Sequence, residues 1–177
     1  NFTMVSGTPF VGLQFGNSEF ADVDNDGDLD ILITGSNTQP QSFANLYSND
    51  GSGNFSLVSD TPFQVSTEGD IAFEDIDNDN DLDLMMVGYD PQGNGFTKLY
   101  QNDGSGEFTE LTTSTFEPAK SGSIAFFDYD NDGDNDVIVS GENNDGAILT
   151  TLYANNGSGI FTIVSNTPFI GVMSGDI

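Results

Sequence analysis

The nine residues from Asp22 to Asp30, DVDNDGDLD, hold five carboxylates around one glycine. Closely similar runs begin at Asp75 (DIDNDNDLD) and Asp128 (DYDNDGDND), each 53 residues after the one before. Like charges at that density repel unless a cation lies among them. Numbered within each loop, carboxylates fall at positions 1, 3, 5 and 9, and position 7 offers its backbone carbonyl. The candidate ligands are Asp22, Asp24, Asp26, Asp28 and Asp30 in the first loop. The second loop supplies Asp75, Asp77, Asp79, Asp81 and Asp83, and the third Asp128, Asp130, Asp132, Asp134 and Asp136. Alternate spacing lets the first three carboxylates converge from a tight turn, and glycine at position 6 permits the bend. Such a loop suits Ca²⁺, which takes six to eight oxygens at about 2.3–2.6 Å in flexible geometry. About three ions are expected, one per loop.

Other metals fit less well. Zn²⁺ favours His or Cys, and the chain has neither. Mg²⁺ takes fewer protein ligands in strict octahedral geometry. An EF-hand needs flanking helices and Glu at position 12, where this chain has Ile33, Met86 or Val139. The bland reading is three solvated acidic turns. Two departures stand out. Asn80 replaces glycine in the second loop, and Asn135 replaces the leucine of the others in the third. Asn tolerates the left-handed backbone, so the second site is expected to survive. The third loop is expected to be less firmly anchored to the core.

The chain of 177 residues has a formal charge of −27, with Lys98 and Lys120 its only basic residues. Nucleic acid and anionic membrane surfaces are poor partners, because binding phosphate needs cations. No apolar run is long enough for a transmembrane helix. Without cysteine there is neither a disulfide framework nor thiol chemistry. The start at Asn1, with no initiator methionine or signal-like segment, reads as a processed product or a piece of something longer.

The three loops belong to a repeat of the whole chain. NFTMVSGTPF, NFSLVSDTPF, EFTELTTSTF and IFTIVSNTPF open successive units, and NLYSNDGSG, KLYQNDGSG and TLYANNGSG close them. The units are 1–53, 54–106 and 107–159, with a partial unit 160–177, all within one repeat array covering 1–177. Periods of this size mark solenoids, propellers or arrays. Each unit reads as four short strands rich in β-branched and aromatic residues. In the first unit these are EFADV (19–23), LDILITG (29–35), FANLY (43–47) and NFSLV (54–58). The second strand, with Leu29, Ile31, Leu32 and Ile33, is apolar on both faces and is expected to be central and sandwiched. NDGSG is a hairpin turn.

Four antiparallel strands per unit, stacked face to face, make a propeller-type blade. The predicted fold is therefore all-β, with three complete blades forming a segment of a larger propeller or tandem array. Phe2, Phe55, Phe108 and Phe161, with Phe10, Phe63, Phe116 and Phe169, are expected to form inter-blade core. Stray edge strands are expected at 1–5 and 174–177, where a neighbour could add a strand.

A strand, an acidic loop of DxDxDGxxD type, a second strand and a hairpin, repeated in phase, resemble the FG-GAP/VCBS repeat family. The LY.NDGSG and TPF pieces are most similar to its secreted bacterial members. The resemblance implies a β-propeller, usually of seven blades, with Ca²⁺ at the blade loops and a secreted, extracellular or cell-surface location. It does not imply one function, since function lives in sites grafted on folds.

The leading functional expectation is a non-enzymatic, Ca²⁺-stabilised structural or adhesive module, with a self-assembling filament subunit as one form of it. Self-association or packing against neighbouring repeats is the expected partnership, with neither nucleic acid nor membrane insertion. Catalysis lacks a His or Cys, and Glu68, Glu74, Glu107, Glu110, Glu117 and Glu142 are scattered. The alternative is a carbohydrate-binding lectin propeller. Its ligand loops would be the variable segments 36–44, 89–97 and 142–150, although Trp is absent. Sequons at Asn1, Asn54 and Asn156 matter only in a host that glycosylates them.

Overall fold

The computed structural model describes residues 3–39 and 41–172. Each unit folds into one antiparallel sheet whose strands lie in chain order. The first blade holds β1 (Ser18–Ala21), β2 (Asp30–Ser36), β3 (Ser42–Asn49) and β4 (Phe55–Leu57). The second holds β5 (Ile71–Glu74), β6 (Asp83–Tyr89), β7 (Gly95–Asn102) and β8 (Phe108–Leu111). The third holds β9 (Lys120–Phe127), β10 (Asp136–Glu142), β11 (Ile148–Asn155) and β12 (Phe161–Ile163). These are propeller-type blades, and among the described residues they do not close into a ring. No helix among the described residues is long and apolar enough to cross a membrane.

The period-2 alternation of a strand explains the stacking. In the second blade Phe73, Leu84 and Tyr100 are aligned across three strands, and Ala72, Met85, Leu99 and Leu111 are aligned in the adjacent row. The first row packs with Leu32, Ala44 and Leu46 of the first blade. The second packs with Val137, Val139 and Tyr153 of the third. Thus β6, apolar on both faces, sits between two cores. Its Leu84, Met85, Met86 and Val87 are fully buried. Burying each such side chain is worth about 1.5–3 kcal/mol.

The linker phenylalanines seal the outer half of each blade. Phe63 lies 5.3 Å from Tyr100 and 5.0 Å from Phe108, both edge-on. Phe116 repeats this on Tyr153 and Phe161, and Phe10 on Tyr47 and Phe55. Phe63 and Phe108 belong to the core between the first two blades, and Phe161 to that between the second and third. Phe169, next in the series, is exposed. Phe2 lies outside the described residues.

Two further expectations need correcting. Leu29 is 56% exposed, because β2 begins only at Asp30 and Leu29 still belongs to the loop. Residues 3–5 of the expected first edge strand have no strand partner, with Met4 91% and Val5 72% exposed. An outer strand here pairs with the third strand of its own sheet, and among the described residues that segment has no such sheet. Residues 1–2 of that segment, and the whole of 174–177, lie outside the described residues. Asn135, where the other loops have leucine, donates from its side chain to Glu74 Oε1 of the second blade at 2.8 Å, a polar tie in place of an apolar one, and Asp128 and Asp130 of that loop are exposed.

Candidate metal centres

Each acidic loop joins the first and second strands of its blade, so all three sit at the same end of the stack. In each, positions 1, 3 and 9 converge. One oxygen from each of Asp22, Asp24 and Asp30 lies within 4.8 Å of the others, and the same holds for Asp75, Asp77 and Asp83 and for Asp128, Asp130 and Asp136.

Backbone geometry produces the convergence. Position 4 is left-handed in every loop, with φ of 58° at Asn25, 62° at Asn78 and 63° at Asn131. Position 6 is left-handed too, at Gly27 and Gly133 and equally at Asn80 (φ 72°). Asn therefore does the work of glycine there. The position-1 carboxylate caps the bend. Asp75 accepts from the N–H groups of Asp79 (3.2 Å) and Asn80 (3.0 Å), and Asp22 and Asp128 do likewise.

The position-9 aspartates are buried, each only 1% exposed. Asp83 accepts from Ile76 N–H at 3.3 Å and Asn102 N–H at 2.8 Å, clipping the ends of two strands together. Asp30 does the same for Val23 and Asn49, and Asp136 for Tyr129 and Asn155. Burial pushes the Asp83 carboxyl up to about 7, against the lowering pull of those two N–H groups. Burial also raises Asp30.

Asp77 is the most telling member. Its Oδ2 accepts from Gln101 Nε2 at 2.6 Å, but its Oδ1 is buried with no hydrogen-bond partner. Burial, then the nearby Asp79 charge, raises its carboxyl. A buried acceptor without a donor is costly, and a cation would satisfy it. With oxygen donors only, no His or Cys, and an orphaned oxygen in one triad, the residues present fit a hard divalent ion.

Positions 5 and 7 are placed differently. Position 5 lies outside each triad, with one oxygen accepting the position-7 N–H. Asp26 accepts from Asp28 at 2.9 Å, Asp79 from Asp81 at 2.9 Å, and Asp132 from Asp134 at 3.0 Å. The position-7 side chain reaches the preceding blade. Asn25 Nδ2 donates to Asp81 Oδ1 at 2.7 Å, and Asn78 Nδ2 to Asp134 Oδ1 at 2.9 Å.

Another group was not singled out from sequence. The Asn of the LY.NDGSG piece, Asn102, donates through Nδ2 to Val23 O of the preceding blade (2.8 Å) and to Leu82 O (3.2 Å). Asn155 does so to Ile76 O (2.7 Å) and Asn135 O (3.0 Å). The signal was available, since Asn49, Asn102 and Asn155 recur in phase.

Fold and site together define an array of four-stranded β-blades, each with an acidic triad at one end. The chain belongs to the FG-GAP-like repeat family, whose model matches residues 22–86 and again 75–139. No curated protein matches it.

Proposed function

We propose that the chain is a non-enzymatic calcium-binding repeat module acting outside the cell as a structural or adhesive element. The observation that carries this is the recurrence of one carboxylate triad at the same place in all three blades. In this reading positions 1, 3, 5 and 9 supply side-chain oxygens and position 7 its carbonyl, so all fifteen aspartates shape the sites. Extracellular calcium is abundant enough for weak modular sites. The scattered glutamates support a non-catalytic reading, with Glu110 paired to Lys98, Glu142 to Lys120 and Glu74 to Asn135. Isothermal titration with CaCl₂ tests the proposal. About three ions should bind, and about two to a D75N/D77N variant. Absence of calcium binding would end it.

The exposed part of the first blade's outer face supports packing against a further blade, whether of a second copy or of a neighbouring repeat. In the Phe20–Ile31–Tyr47–Leu57 row of that face, equivalent to the Phe73–Leu84–Tyr100 row, Phe20 and Leu57 are exposed, whereas Ile31 and Tyr47 are already buried, Tyr47 against the Phe10 ring. Sedimentation with and without chelator tests self-association, and monomers under both conditions would count against it.

One feature favours glycan binding as a second reading. At the end away from the acidic loops, Ser36, Asn37, Thr38 and Ser42 of one hairpin and Tyr89, Asp90, Pro91 and Gly93 of the next flank a polar cleft of about 410 Å³. Its lining includes Asn37, Thr38, Glu68, Tyr89 and Asp90. A glycan array with reproducible hits that T38A/Y89A abolishes would support this reading, and a blank array would remove it.

A further inference from the structure

The loops are joined across each blade seam by two separate connections. The first is the bond from the position-4 asparagine to the position-7 aspartate of the next loop, Asn25 to Asp81 and Asn78 to Asp134. Asn25 lies between Asp24 and Asp26, so its backbone is fixed only when those carboxylates are. Asp81 is the residue whose carbonyl is expected to face the second ion, and its N–H is tied to Asp79. The second connection is buried. Asn102 gives its N–H to Asp83 of the second triad and its side chain to Val23 O, between Asp22 and Asp24 of the first loop. Asn155 repeats this between Asp136 and Ile76 O.

From this geometry we infer that Asn25 and Asn78 are positioning residues that couple calcium binding in adjacent loops, making it positively cooperative along the array. The inference rests on the calcium reading above. The coupling requires that carboxylate repulsion loosen each loop when no cation is bound, the drawn-together arrangement being the one the structure shows. A cation in the first loop fixes Asn25, and Asn25 then holds Asp81 where the second loop needs it. Part of the ordering cost of the second site is met in advance, and the same follows from Asn78 to Asp134. Coupling of this kind is reciprocal and requires no large movement. Because the Asn–Asp bonds lie at the surface, the effect belongs at the low end for coupled sites, about fivefold in affinity.

The test is calorimetric titration of the chain, of N25A/N78A and of N131A. Asn131 holds the same loop position, but no blade follows it among the described residues. The wild-type isotherm should be cooperative, with a Hill coefficient above one. N25A/N78A should still bind all its ions, but as independent sites, with later binding weakened about fivefold. N131A strains the left-handed turn of its own loop as the other two substitutions do, so it should weaken that one site while leaving the cooperativity between sites intact. Should N25A/N78A fail to fold, N25D/N78D keeps the left-handed turn and sets a charge against Asp81 and Asp134. It should drive the coupling negative. Three independent wild-type sites, unchanged cooperativity in N25A/N78A, unchanged coupling in N25D/N78D, or an equal loss of cooperativity in N131A would each overturn the coupling while leaving the calcium reading intact. No calcium binding at all would sink both.

Discussion

Gly104 is pressed against the Asp81 carboxylate so closely that a Cβ at Gly104 would stand 2.4 Å from Oδ2. Gly51 meets Asp28 in the same way, and Gly157 meets Asp134. The NDGSG hairpin and the acidic loop, which read as separate motifs, are therefore two sides of one contact.

That contact predicts a contrast between two glycines at different positions of equivalent hairpins, in the first and second blades. Gly53 (φ +80°) has nothing within 4 Å of a built Cβ, whereas Gly104 (φ +78°) has the carboxylate. G53A should cost about 1 kcal/mol for the left-handed backbone alone. G104A should also displace the Asp81 carboxylate from Asn25 and so cost about 0.5–1.5 kcal/mol more for the lost hydrogen bond. Urea unfolding of both variants measures the difference, and equal costs would contradict the contact.

The two carboxylates at positions 7 and 9 should respond unequally to amidation. In D83N one oxygen that accepts a backbone N–H becomes a donor facing a donor. In chelator this should cost about 1–3 kcal/mol, before any loss of metal. D81N can still accept from Asn25, so its stability should stay within about 0.5 kcal/mol of wild type. Thermal unfolding in chelator separates them.

Removing calcium should lower the melting temperature. An ion at a hundredfold its dissociation constant adds about 2.7 kcal/mol per site. In a chain of this size each kcal/mol moves the midpoint by roughly 2–4 °C. Each saturated loop should therefore contribute about 5–10 °C between calcium and chelator, read by calorimetry. Superimposable transitions would contradict this.

Linker docking rests on one hydroxyl. Gln64 N–H donates to Tyr100 Oη at 2.8 Å, just after Phe63 packs on that ring, and Glu117 N–H repeats this on Tyr153 at 2.9 Å. Y100F should cost about 1–3 kcal/mol by leaving a backbone donor without its acceptor. Y47F should cost less, since the Tyr47 partner is the Asn45 side chain, which can turn to water. Denaturant midpoints for the two variants decide it.

Much of this architecture was legible in local sequence. The 53-residue register, the strand alternation and the left-handed Asn and Gly positions are properties of neighbouring residues, and they specify strands, turns and acidic loops. Alternation failed at Leu29 because it cannot show where a strand starts, and the sheet begins one residue later.

Tertiary structure decided what each aspartate does. Asp81 and Asp83 are two residues apart in the same acidic run, yet one bonds a side chain 56 residues away in the preceding blade and the other is buried in a triad. Asn135 looked like a lost anchor until Glu74, 61 residues earlier, came within hydrogen-bonding distance. Local chemistry sets which groups a loop offers. Only the stacking of one blade on the next sets which of them meet water, backbone or each other.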